Sequence, residues 1–293
     1  MSKRQLAFIA AFLVQLIYGL TFTFANDVID GGHIRPFGFI LIRVFGACCL
    51  FWIASLFGPK EKIEPKDFKK IGFAAVFGVA LNMLTFFKGL EYTTPIHASV
   101  IMVVVPIIVL LLSSYLLKEK ITSLKIVGII LGFSGAIVLT AWGKPAQVGD
   151  NILLGNFLVL INAISYSIYL VIIKTLTNKY HPLTFIKWLF LFGLIMVLPF
   201  GYQEFNEVEW GEFNSYVWFS VAFVTIGATF LTYLLNPLAL TQLRASTVST
   251  FLYIQPVIAG AFAIFMGSDS LNVIKLIAAA LIFAGVYLVS KKN

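Results

Sequence analysis

The sequence predicts an all-α membrane protein of ten transmembrane helices, folded as two five-helix inverted repeats with both termini cytoplasmic. Three observations carry that expectation. Apolar runs of spanning length follow one another from end to end, lysine and arginine gather on alternate joints, and the second half of the chain echoes the first.

Of the 293 residues, 60% are hydrophobic and 12% charged, and the mean hydropathy is +0.95. A soluble domain carries about 25% charge, so water is not the main solvent of this surface. A helix crosses about 30 Å of hydrocarbon with roughly 20 apolar residues. Runs bounded by charge, glycine or proline fall at 5–26, 36–57, 70–91, 96–117, 124–142, 152–173, 184–202, 216–240, 246–266 and 271–289. That makes ten spans and leaves no length for a soluble domain. The first follows Lys3 and Arg4 as a signal peptide would, yet no small-residue cleavage pattern precedes Asn26 and Asp27, so it counts as a span.

Lysine and arginine are retained on the cytoplasmic side during insertion. With the amino terminus inside, the inner segments hold Lys3 and Arg4, then Lys60, Lys62, Lys66, Lys69 and Lys70, then Lys118, Lys120 and Lys125. Lys174, Lys179, Lys187, Arg244, Lys291 and Lys292 complete them, whereas the outer joints hold Arg35 and Lys144. Sixteen against two places both termini in the cytoplasm and the chain, as a multi-pass protein, in the cell inner (plasma) membrane. The net charge of +8 is dispersed beside apolar runs rather than gathered in a stripe, which argues against a nucleic-acid partner. The adjacent Cys48 and Cys49 suit neither a disulfide framework nor a metal site.

The halves, 1–143 and 150–293, repeat. Shifting by 150 residues aligns 89–139 with 239–289 without a gap, pairing Leu90 with Leu240, Ser99 with Ser249, Pro106 with Pro256, Lys125 with Lys275 and Gly135 with Gly285. Charge gives the sense of the repeat. The joint between the second and third spans holds five lysines, and its counterpart between the seventh and eighth holds Glu204, Glu207, Glu209 and Glu212 without a cation. Because five is odd, the second unit enters the membrane the opposite way up, an arrangement many secondary transporters share.

Polar side chains are costly in hydrocarbon, so a helix that carries a stripe of them faces other helices or a watery cavity. The eighth span carries Thr225, Thr229, Thr232, Tyr233 and Asn236 at helical spacing, and the sixth carries Asn162, Tyr166 and Tyr169. The ninth has Ser246, Ser249 and Tyr253, the first Gln15, Tyr18 and Thr21, and the third Asn82, Thr85 and Lys88, while His97 and Ser99 stand near the outer end of the fourth. Each group alone could be glue between helices, but together the stripes predict a cavity lined by spans 1, 3, 4, 6, 8 and 9, with 5 and 10 outside it.

Pro106 and Pro256 sit mid-span in equivalent places, each removing a backbone donor and freeing a carbonyl near the midplane. Paired interruptions of this kind point to a transport site, and Gln255 stands beside the second. Arg43 lies about 10 Å into its span, deep enough to need a partner unless its stem reaches back outward. Lys88 and Glu91 form either an ion pair at a span end or, facing the cavity, a cradle for an anionic or zwitterionic substrate. His97 is either a hydrogen-bonded interfacial histidine or a proton-coupling group, and Lys275 reaches the surface. Gly128, Gly132 and Gly135 allow close contact with a helix of this chain or of a second copy.

No metalloprotease, nucleotide-binding or dinucleotide motif occurs, and nothing calls for a cofactor or metal. An enzyme is therefore not expected; the alternative class is an intramembrane enzyme acting on a lipid or isoprenoid, for which His33, His97 and His181 are too scattered. The stretch Phe86-Phe87-Lys88-Gly89-Leu90-Glu91-Tyr92-Thr93, with Ala98-Ser99, Pro106 and Leu117-Lys118-Glu119-Lys120-Ile121, resembles the EamA domain of the drug/metabolite transporter superfamily. A second copy is similar at Leu238-Ala239-Leu240, Ala245-Ser246, Pro256 and Gly267-Ser268-Asp269, departing from the family's usual Gly-Glu by Ser268-Asp269-Ser270. The resemblance implies a ten-helix carrier that exports amino acids or other small metabolites through a central cavity, by alternating access. Its partners would be a small-molecule substrate and the lipid bilayer, with proton or ion coupling and a homodimer left open.

Overall fold

The computed structural model describes residues 1–93, 95–141, 151–265 and 272–291. Lys144, residues 267–270, Lys292 and the side chains of Ser99, Asn26 and Asp27, all singled out above, lie outside what it describes. Ten apolar helices make up the described chain: α1 Lys3–Asp30, α2 Pro36–Leu56, α3 Asp67–Tyr92, α4 95–117, α5 Ser123–Ala141, α6 Ile152–Thr177, α7 Pro182–Asn206, α8 Ser215–Gln242, α9 245–265 and α10 Val273–Ser290. Local chemistry sets their starts. Ser2 and Gln5 cap α1 reciprocally, Pro36 and Pro182 open α2 and α7, and Asn151, Asn214 and Asn272 each accept an amide hydrogen bond from the first turn they precede.

Large apolar side chains lie on both surfaces of the bundle. Phe39, Phe51, Val79, Leu170, Phe185, Phe190 and Ile282 are wholly buried, while Phe45, Ile53, Leu111, Leu153, Ile195, Phe219 and Phe283 are exposed, as lipid-facing positions require.

Helical irregularities recur in both halves. A π-helical turn interrupts α3 at Val76–Ala80 and α8 at Phe223–Leu231, and these overlap under the 150-residue shift. Likewise α4 breaks between Met102 and Val105, and α9 tightens to a 3-10 turn at Phe251–Ile254. Pro106 and Pro256 each occupy the second position of the segment that follows, where a missing amide costs no intrahelical bond.

The packing has the same two-fold character. Helix α2 packs on its counterpart α7 and α5 on α10, while the pairs α3–α6 and α8–α1 exchange with each other. Particular contacts obey it too. A Cβ added to Gly128 would lie 2.7 Å from the Gly285 carbonyl oxygen, and one added to Gly135 would lie 2.7 Å from that of Ala278. The shift carries the first pair onto the second. The glycine ridge of α5 is therefore consumed by a helix of its own chain.

The two ends of the bundle show that the repeats are inverted. At one end Arg4 donates to the Ser290 carbonyl (2.9 Å), Glu61 accepts from the His181 amide and the Thr184 hydroxyl (2.8 Å each), and Asp67 binds Lys179 (2.9 Å). At the other, Arg35 pairs with Glu207 (2.8 Å), the Gly38 amide donates to Glu204 (2.8 Å), and the Thr93 hydroxyl bonds Asn156 on the first turns of α6 (2.6 Å). So α1 begins at the first end and α6 at the second. The first end, which carries both termini, is the one that the lysine bias of the sequence predicts to be cytoplasmic.

Overpacking should expose the α5–α10 seam. Gly285→Leu, whose Cβ would lie 2.5 Å from the Gly128 oxygen, is expected to cost about 1–3 kcal/mol, whereas Gly260→Leu, with nothing within 4 Å, is expected to leave the melting temperature in detergent nearly unchanged.

Candidate functional site

The polar stripes of α6 and α8 meet in the bundle interior. Asn236 donates its Nδ2 hydrogen to the Tyr166 hydroxyl (3.1 Å), and the Tyr169 ring lies 6.0 Å from that of Tyr166 and 5.6 Å from that of Tyr233. The Phe190 edge closes on Tyr233 at 5.0 Å. Only a glycine at position 78 lets Tyr169 sit where it does, since a Cβ there would strike the ring.

Much of this chemistry serves the π turn of α3. Such a turn shifts the helix ladder by one residue and leaves carbonyls without their usual amide partners. Tyr233 donates its hydroxyl to the Gly78 carbonyl and Ser165 to that of Phe77 (2.7 Å). One turn on, Asn162 donates Nδ2 to the Asn82 carbonyl (2.7 Å). Asn82 thus enters the network through its backbone, with its own side chain half-buried.

Arg43 reaches the same region from α2. It is buried, its Nε donates to the Thr229 hydroxyl (3.1 Å), and its guanidinium lies 5.8 Å from the Phe39 ring centre and 5.5 Å from that of Phe87. Thr229 passes its own proton to the Val224 carbonyl (3.0 Å) within the π turn of α8, and Thr232 bonds Ala228 (2.6 Å). Tyr18 of α1 and Tyr233 lie within electrostatic reach of Arg43.

Three polar atoms of this cluster are buried without a hydrogen-bond partner: Asn162 Oδ1, Asn236 Oδ1 and the Tyr169 hydroxyl. A buried polar group left unpaired costs about 1–3 kcal/mol, and three of the buried unpartnered atoms among the described residues gather at this one junction, which makes it the candidate site. The Tyr253 hydroxyl, on α9 beside Gly132, is also buried and unpartnered.

The other residues predicted from sequence distribute around this centre. Gln255 donates to Gln15 (2.7 Å), joining α9 to α1 one turn from Tyr18. Thr21 bonds back to the Ile17 carbonyl and Ser249 to that of Ser246, so both are satisfied locally. Lys88 stands apart, paired with Glu91 beside the Tyr92 and Phe37 rings, and its side chain is 39% exposed. His97 is exposed at the same end. Ser165 and Arg43 belong to the centre although the stripes did not include them. Ser165 keeps the spacing of its neighbours on α6 and was legible; Arg43 carries no spacing signal at all.

At the terminus end a buried network ties four helices. Glu119 accepts from Lys125 (3.1 Å), from the Ser246 hydroxyl (2.6 Å) and from the Ala245 amide that opens α9 (3.1 Å), while Lys174 donates to the Leu240 carbonyl (2.6 Å). Nearby, the hydrogen bond from Lys66 holds the Glu64 carboxyl below the usual range, and that to Asp67 holds the Lys179 ammonium above its own.

Residues 5–141 and 153–291 each match the model of the EamA-like transporter family, covering nearly the whole chain. The chain belongs to that family. Among EamA relatives, an "uncharacterized transporter" of Archaeoglobus fulgidus is 28% identical over 281 residues, spanning 96% of this chain and 97% of its own length. YoaV, an "uncharacterized transporter" of Bacillus subtilis, is 26% identical over 279 residues, with 94% and 93% covered. A solved structure titled "Crystal structure of protein" superposes with a TM-score of 0.77 at 18% identity, covering 98% of this chain and 96% of that one, which establishes the fold. The chain is thus a multi-pass membrane protein and a transporter of EamA type.

Removing one partner of a buried ion pair strands the other. Glu119→Ala is expected to cost about 3 kcal/mol because Lys125, 5% exposed, loses its carboxylate. The double variant Glu119→Ala/Lys125→Leu is expected to melt, in detergent, at a higher temperature than Glu119→Ala alone.

Proposed function

We propose that this protein is a secondary transporter that exports a small metabolite, such as an amino acid, by alternating access. Its site is the buried cluster of Asn162, Tyr166, Tyr169 and Asn236, with Tyr18, Thr232 and Arg43 at its edge. The observation that carries the reading is the trio of buried, unpartnered polar atoms where α6 and α8 meet. A lattice of helix contacts built for rigidity pairs such atoms or replaces them with carbon. A site that takes up and releases a polar solute needs them unpaired between visits.

Two further features support the reading. The inverted repeat gives two arrangements of nearly equal contact energy, related by exchange of the halves, which is the basis of alternating access. The π turns of α3 and α8 place irregular backbone beside the cluster, where neighbouring side chains re-satisfy it. Gating falls to the ends. The Glu119 network holds the terminus end closed, Arg35–Glu207 and Glu204–Gly38 hold the other, and a cycle parts one set at a time.

Apolar replacement separates a transport site from structural glue. Asn162→Leu and Asn236→Leu are each expected to lower flux in proteoliposomes by more than tenfold while shifting the melting temperature by only a few degrees, since removal of an unpartnered carbonyl offsets the loss of the one hydrogen bond each Nδ2 makes. Uptake and efflux, run with and without a pH gradient, would identify the substrate and its coupling. Full flux in both variants would remove the cluster from the pathway.

A further inference from the structure

Arg43 is the one buried guanidinium among the described residues, and its surroundings do not neutralise it. Its Nε is occupied by Thr229, and Nη1 and Nη2 have no hydrogen-bond partner among the described residues. None of the ion pairs there includes it. The Phe39 and Phe87 rings offset part of its charge but supply no anion.

The fold itself does not call for the charge. In the counterpart crossing of the other half, where α7 meets the π turn of α3, Gly193 packs on Val79. A Cβ added to Gly193 would lie 2.7 Å from the nearest atom of Val79, so that crossing closes on carbon alone. The same architecture thus offers an apolar solution and a charged one, and only the charged one lies beside the tyrosine and asparagine cluster.

Resting on the transport reading above, we propose that Arg43 is the anchor for a substrate carboxylate, and that the substrate also carries N–H or O–H donors for the free amide oxygens of Asn162 and Asn236. The forked Nη1 and Nη2 match two carboxylate oxygens. Desolvation in hydrocarbon makes that pairing stronger than it would be in water, and makes an empty, unpaired Arg43 costly. Donors at the other end of the molecule fit acceptor-only amide oxygens. A small amino or hydroxy acid meets both demands; an amine or an ester meets one. Lys88, the other cation that could have held an acid, is committed to Glu91.

The test compares four matched sets of probes on purified full-length protein: L-amino acids, the corresponding 2-hydroxy acids, the amino acid methyl esters and the primary amines lacking the carboxylate. Binding is followed by thermal shift and calorimetry in detergent, and flux of each binder in proteoliposomes. Binders are expected among the acids, with the matching ester and amine at least thirtyfold weaker. Arg43→Gln is expected to bring the acid down to the level of its ester, and Arg43→Lys, which keeps the charge but loses the fork, to retain part of the affinity. Thr229→Val, which leaves the cation in place without its orienting bond, is expected to weaken acids severalfold and esters not at all. The proposal is overturned if no acid binds, if esters or amines bind as tightly as acids, or if Arg43→Gln binds acids like the wild type. A neutral or cationic probe carried equally by Arg43→Gln refutes the anchor and leaves the carrier standing. An acid that binds through Arg43 yet is never carried upholds the anchor and refutes the carrier.

Discussion

Lipid offers no hydrogen bonds, so every polar group this chain places in the membrane must be answered from within the chain, and most of the interior follows from that constraint. The π turn of α3 frees carbonyls in the core of the bundle, and Ser165 and Tyr233 are positioned to meet them. Because Ser165 lies on α6 and Tyr233 on α8, the repair draws both helices against α3 and brings their stripes together. Tyr166 and Asn236 then pair across the junction. Three atoms of the same junction, Asn162 Oδ1, Asn236 Oδ1 and the Tyr169 hydroxyl, stay unanswered, and the Thr225 hydroxyl in the π turn of α8 and the Tyr253 hydroxyl on α9 are left so too.

The two-fold relation between the halves is close in architecture and loose in chemistry. Glycine contacts, π turns and proline positions correspond across it, while the polar side chains do not. The third span has no asparagine where the eighth carries Asn236, Phe86 standing at the position 150 residues earlier, and the buried Arg43 of α2 has no cationic counterpart among the buried residues of α7. Symmetry of the backbone is the feature on which the proposed alternating access rests. Asymmetry of the side chains supplies a single orientation for whatever lies between the halves.

Much of this was legible in the sequence, because spans, inversion and stripes are properties of local pattern. Ten apolar runs, five lysines against four glutamates, and Asn162-Tyr166-Tyr169 at helical spacing needed no tertiary knowledge. The π turns were not legible, since Val76–Ala80 is one extra residue of winding in an unbroken apolar helix and has no marker side chain. Nor was the setting of Arg43, whose hydrogen-bond partner is 186 residues away. The third-span stripe ran together two environments: Asn82 contributes a carbonyl at depth, whereas Lys88, two turns further on, has reached the exposed end of its helix.

The seam between α5 and α10 has the geometry of an isologous dimer, in which each residue meets the copy of its partner's partner: Gly128 with Gly285, Ala278 with Gly135. Two separate five-helix proteins inserted in opposite senses would dock through this surface. Fusion into one chain turns that encounter into an intramolecular one, independent of protein concentration. It also frees each copy to diverge, which a shared gene for both orientations would forbid, and so lets a single arginine stand on one side of the axis only.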